Sequence, residues 1–155
     1  MENNRIISLF EKIFNGDPWI DVTIMGTLQE LSGHQASSKL NLECNSIWQI
    51  VNHMISWRKN VLQRLQGKIM TTPANNYIEP ITDTSQHAWI KTLESFQQTQ
   101  EEWISFLKKF NSENFQTQYP PNAMTYYEHI HGIIQHDAYH LGQIVLLTKL
   151  VKNKM

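Results

Sequence analysis

Cysteine is nearly missing from this chain. Of its 155 residues only Cys44 carries a thiol, so no internal disulfide can form and a disulfide-stapled secreted scaffold is excluded. A reducing, cytoplasmic setting is the expectation. Excess charge is also lacking: 13 Lys and Arg stand against 14 Asp and Glu, a formal net charge of -1, and the sequence pI is near 6.6. With no Lys/Arg cluster to offset that balance, a nucleic-acid surface is not expected. No stretch approaches the roughly 20 consecutive apolar residues of a membrane span. The opening MENNRIISLF is too polar for a secretory signal, and no membrane partner is expected. The strict apolar/polar alternation of a half-buried strand is absent, as are His-Glu-x-x-His, a phosphate-binding glycine loop and a paired-cysteine zinc site.

What is present is helical period. Ile6, Ile7, Phe10, Ile13 and Phe14 mark a first helix over 4–14, stopped by Asp17-Pro18. A short helix is predicted over about 20–31, with Gly33 just past its end and a polar connection over 34–44. Over 46–66 the stripe Ile47, Ile50, Met54, Trp57, Val61 and Leu65 follows a capping box formed by Ser46 and Gln49. Residues 68–83 read as a long loop. Trp89, Phe96, Trp103 and Phe110 then recur every seven residues in a helix over 84–110, with Leu93 and Leu107 between them as in a bundle seam. After a second loop broken by Pro120-Pro121, Thr125 and Glu128 supply another capping box. It opens a helix over about 124–152 whose stripe is Ile130, Ile134, Leu141, Ile144 and Val145.

Three long helices and a fourth from the N-terminal region predict an all-α four-helix bundle, one domain over 1–155, with loops long enough for crossovers. A chain of this length buries roughly two-thirds of its unfolded surface, so it needs no metal to fold. A metal would serve chemistry.

His136 and His140 lie one helical turn apart in HGIIQHDAYHLGQI, on one face and beside the buried stripe. His53 has the same relation to the stripe of its own helix. Two helices that each present histidine at the rim of the core can converge on one ion, although the same spacing also arises among surface or hydrogen-bonded histidines. Three neutral imidazoles bind Zn²⁺, Ni²⁺, Fe²⁺ or Cu²⁺ and leave a coordination position open. Water there can have its pKa lowered to about 7, and a thiol there is deprotonated. Asp137 falls inside the apolar arc of the last helix. A buried carboxylate needs a partner; it either accepts the second N–H of a metal-bound histidine or pairs with a backbone group or a tyrosine. Trp57, one turn after His53, either lines a pocket or packs in the core.

SIWQIVNHMISWRKNVLQRL, followed by HGIIQHDAYHLGQIVLL with its His-Asp-x-Tyr-His-x-Gly-Gln-Ile motif, resembles the DinB-like superfamily of metal-binding four-helix bundles. The resemblance runs from about Trp19 to Leu150. It implies an up-down-down-up bundle, frequent homodimers, and a divalent ion, often nickel or zinc, held by the residues matching His53, His136 and His140. For activity it implies a thiol S-transferase or isomerase using a low-molecular-weight thiol such as bacillithiol, mycothiol or glutathione, in a detoxification role. A metal-dependent hydrolase and a non-catalytic, metal-binding dimeric stress-response module are the alternatives.

Overall fold

In the computed structural model, which describes residues 1–153, three of the four long helices begin behind a side-chain cap. Helix α1 spans Glu2–Asn15, followed by two short helices, α2 (Ile24–Leu28) and α3 (Gly33–Ser37). Helices α4 (Ile47–Leu65), α5 (Gln86–Lys109) and α6 (Tyr126–Asn153) complete the set, with a single 3-10 turn over Ser112–Gln116. Ser46 accepts from the Gln49 N–H while Gln49 accepts from that of Ser46, closing the expected box. Thr125 and Glu128 make the reciprocal pair before α6, at 2.6 and 3.2 Å. Among the described residues there is no strand, only an isolated bridge between Gln118 and Thr125.

Residue pairings give the topology. Phe10 stacks on Trp103 and Phe14 meets Phe96 edge-on, so α1 and α5 run antiparallel. Trp48 bonds Thr92 while the Trp103 indole donates to the Arg58 carbonyl, so α4 and α5 run parallel. His53 meets His140, Trp57 meets His136 and Arg64 meets His129, in the order of antiparallel α4 and α6. Tyr127 reaches back to Glu2, placing α6 parallel to α1. The result is an up-down-down-up four-helix bundle, and the segment from 66 to 85 is the crossover that parallel α4 and α5 require.

The aromatic seam is core: Trp89, Phe96 and Trp103 are wholly buried, each stabilising by about 1.5–3 kcal/mol. Phe110 caps the end of α5 and is only half-buried. On α4 the stripe departs from the sequence reading. Arg58, not Trp57, occupies the core between Met54 and Val61, and Trp57 sits half-exposed beside it.

The short helix predicted over about 20–31 is cut down to α2, and the stretch over 34–44 expected as a polar connection instead carries most of a further helix, α3. Gly33, expected just past a helix end, begins α3 behind a Ser32–Gln35 capping box, and its N–H donates to Gln86. A Cβ at that position would lie 2.8 Å from the Ser85 carbonyl, so the missing side chain allows α3 to seat against the start of α5. Together α2 and α3 close one end of the bundle, where the Trp89 indole donates to Leu31.

Candidate metal centre

The antiparallel run of α4 against α6 brings His53, His136 and His140 together at the edge of the core. The His136 Nε2 lies 3.0 Å from the His53 Nε2 and 3.1 Å from the His140 Nε2. One ring nitrogen from each of the three falls within 4.8 Å of the other two. His53 is buried, and the other two are half-buried on the wall of a cavity of about 860 Å³.

Hydrogen bonding on the far side of the rings decides what the near side offers. His53 Nδ1 lies 2.7 Å from the Asn76 carbonyl, which can only accept, so that nitrogen carries the proton. His140 Nδ1 lies 2.7 Å from Gln143 Oε1, while the Gln143 amide N–H donates to Tyr139. In both rings Nδ1 is therefore the donor and Nε2 is the nitrogen turned into the cluster. His136 stands between them with a buried Nδ1 that has no partner. It can donate to one neighbour at most, leaving the other contact as two opposed lone pairs. Without a positive charge at their focus the three nitrogens cannot all be satisfied.

A cation resolves this conflict. An ion about 2.0–2.1 Å from each nitrogen separates tetrahedral ligand atoms by about 3.3 Å, within a few tenths of an ångström of the two separations from His136. Burial, followed by the neighbouring His140, His53 and Arg58, pushes the His136 ring down to about 3, so it is neutral at physiological pH. Burial lowers His140 as well. All three are then available as ligands, and the donor set fits a divalent ion such as zinc or nickel.

Asp137 has a different partner from those expected. Its Oδ2 lies 2.6 Å from Arg58 Nη2 and 3.1 Å from Nε, with both side chains wholly buried. No histidine N–H reaches it. Arg58 also donates to Gln100 at 2.8 Å and lies over the faces of Phe10, Phe14 and Phe96. Burial pushes the Asp137 carboxyl above its ordinary value, and the adjoining guanidinium opposes that rise. The carboxylate is a tie between α4 and α6, and the partners that orient the histidines are Asn76 and Gln143. A charged residue falling on the α4 stripe was the available sign for Arg58. Gln143, three residues after His140, was equally visible as a same-face neighbour. Nothing in the sequence marked Asn76, which occupies the left-handed region at φ 53° within an aperiodic loop.

Residues 23–144 match the family model described as the DinB superfamily. The chain belongs to the DinB superfamily. Neither the curated proteins nor the solved structures yielded a match to it. Superfamily membership and the converging histidines agree on a metal-binding protein.

Around the centre the cavity wall is mixed. Trp57 is a lining residue, its indole donating to Asn76 Oδ1 and its ring about one ring-width from His53 and His136, at 6.5 and 6.3 Å. Ile50 and Leu147 supply apolar wall, and Arg64, Asn122 and His129 a polar end. His129, which shares a face with His136, therefore stays outside the triad. No helix among the described residues is long and apolar enough to cross a membrane.

Proposed function

We propose that this protein is a divalent-metal-dependent thiol S-transferase acting in detoxification. The observation that carries the reading is the set of Nε2 lone pairs converging at the wall of a cavity large enough for a small molecule. A bound zinc or nickel ion would supply Lewis acidity at its open position, lowering the pKa of a thiol there. This chain's own residues do the rest. His53, His136 and His140 hold the ion, Asn76 and Gln143 fix the ring tautomers, and Trp57 and Ile50 keep bulk water from one side. The thiol gives its proton to solvent; sulfur then bonds to the electrophilic carbon as the leaving group departs with its electron pair.

Metal-assisted hydrolysis would need a base to take the proton from water. Glu128, on the cavity wall, is engaged by Thr125, whose hydrogen bonds hold its carboxyl below its ordinary value, and Asp137, next to His136 in the chain, is engaged by Arg58. That favours a thiol, which reacts without one. Superfamily resemblance supports a homodimer, to be checked by sedimentation, and a cytoplasmic setting.

The test is conjugation of a low-molecular-weight thiol to an activated aryl halide, with metal content measured in parallel. Metal-loaded protein should turn over. His53→Ala, His136→Ala and His140→Ala should each lose most metal and at least 100-fold in rate with the helical circular dichroism intact. Equal rates with and without chelator would refute the reading; bound metal with no turnover for any thiol would favour the non-catalytic module.

A further inference from the structure

The cavity that opens on the histidines also holds, at its other end, a guanidinium with no counter-charge. Arg64 Nε donates to Asn60 Oδ1 at 2.7 Å, and Asn60 is itself fixed by donating to the Thr71 carbonyl and the Tyr77 hydroxyl. Arg64 Nη1 faces the His129 Nε2 at 3.4 Å. The imidazole's Nδ1 faces the Thr125 carbonyl at 3.0 Å, so its Nε2 is the nitrogen turned to Arg64 and it brings no negative charge. The guanidinium is further held over the Trp57 and Tyr119 rings, 5.4 and 5.2 Å from their centres. None of these contacts neutralises it. Among the described residues no carboxylate lies within ion-pair distance of Arg64, and Glu128, on the same wall, is turned back onto Thr125. A half-exposed guanidinium held in place by four neighbours, with no acid beside it, is positioned to receive an anion.

We infer that Arg64 is a carboxylate-binding subsite, so that the thiol substrate is a mercapto-carboxylate whose sulfur reaches the histidines while its carboxylate sits on Arg64. The inference rests on the thiol-transferase reading above and names its substrate class. Asn122 Nδ2, 3.5 Å from His129 and on the same wall, is placed to offer a second donor. The planar fork of arginine matches a carboxylate in two hydrogen bonds, which a lysine cannot do. Spacing sets the length of the ligand. His129 precedes His136 by seven residues of α6 and Arg64 follows His53 by eleven of α4, which corresponds to roughly 10 to 16 Å along the helices. Trp57 lies between the two ends, in contact with both.

The probe is 3-mercaptopropionyl-glycylglycine, which spans about three residue-lengths, or about 10 Å, from sulfur to carboxylate. Its methyl amide keeps the sulfur and removes the charge. Binding is read from the visible absorption of cobalt-loaded protein. Wild type is expected to bind the acid at least tenfold more tightly than the amide, and Arg64→Met to bind both equally with unchanged cobalt content and unchanged affinity for the amide. If wild type binds acid and amide alike, the carboxylate subsite is refuted while the thiol reading stands. If neither thiol perturbs the cobalt spectrum, the thiol reading fails. The subsite is then judged by propionyl-glycylglycine, which lacks sulfur: heat of binding to wild type but not to Arg64→Met supports it, and none to either overturns it.

Discussion

Two polar clusters sit side by side between α4 and α6, and they treat their hydrogen-bonding capacity in opposite ways. Arg58 and Asp137 are wholly buried, yet the guanidinium has the carboxylate, Gln100 and three aromatic faces, and the carboxylate accepts from both Nε and Nη2. One residue before Asp137 on the same helix, His136 has an orphaned Nδ1 and an Nε2 shared between two lone pairs. A buried polar network that closes on itself ties helices together. One that does not close is asking for something from outside. The distinction assigns structure to one cluster and binding to the other, and each can be attacked separately.

The largest effect should come from opening the closed network. Asp137→Leu or Arg58→Met alone leaves an uncompensated buried charge and should cost about 3–5 kcal/mol in chemical denaturation. The double variant Arg58→Met/Asp137→Leu should recover most of that loss, because two apolar groups replace two desolvated charges. A double variant no better than the worse single would show that the pair's hydrogen bonds, including Gln100, matter more than its charge.

The histidine cluster should behave in reverse. Removing a ring from metal-free protein relieves crowding among nitrogens, so His136→Ala should change apo stability little. It should abolish the gain from added ion, about 2.7 kcal/mol at a hundredfold excess over Kd. Thermal unfolding with and without zinc or nickel reads both numbers. A His136→Ala variant that still gains stability from the ion would place the ion elsewhere.

How much of this was visible beforehand follows from what helical period can and cannot say. Period and caps located α4, α5 and α6 to within about two residues, and they put His53, His136 and His140 at the rim of the core and Asp137 inside it. They could not say who meets whom. A wheel gives Asp137 a direction but no partner, and it does not show that the charged Arg58 is buried while the aromatic Trp57 beside it is half-exposed. The short polar α3 carries little apolar period, and its Ser32–Gln35 box is a finding of the structure. Asn76 orients His53 through a backbone carbonyl, a group every residue has, so no side-chain pattern could single it out. In the sequence only the superfamily resemblance singled out a ligand set, and the structure brings one ring nitrogen from each of those three histidines together.

Acid should separate the clusters next. The folded pKa of His136 is depressed to about 3, while the unfolded ring titrates near 6.5. The unfolded chain therefore binds more protons throughout that window. Stability of metal-free protein is fully present above about pH 6.5 and is lost as pH falls toward 3. Denaturation midpoints at pH 7, 5.5 and 4 should decline for wild type and decline less for His136→Phe. Equal slopes would mean that His136 is not held neutral by its surroundings.

The smallest effect concerns a single hydrogen bond. Gln143 Oε1 accepts from His140 Nδ1 and so presents the His140 lone pair to the centre. Gln143 is half-buried on the helix flank, so Gln143→Leu should leave apo stability within about 0.5 kcal/mol. It should nevertheless weaken metal binding about tenfold, since the ring loses the acceptor that sets its tautomer and tilt. Gln143→Glu keeps an acceptor in the same place and should hold affinity near or above that of wild type, as measured by competition with a chromogenic chelator. The pair of variants matters more than either alone. A loss in both would mean that bulk or the Tyr139 contact positions His140. A loss in leucine alone would show that the open cluster, too, depends on a closed hydrogen bond behind it.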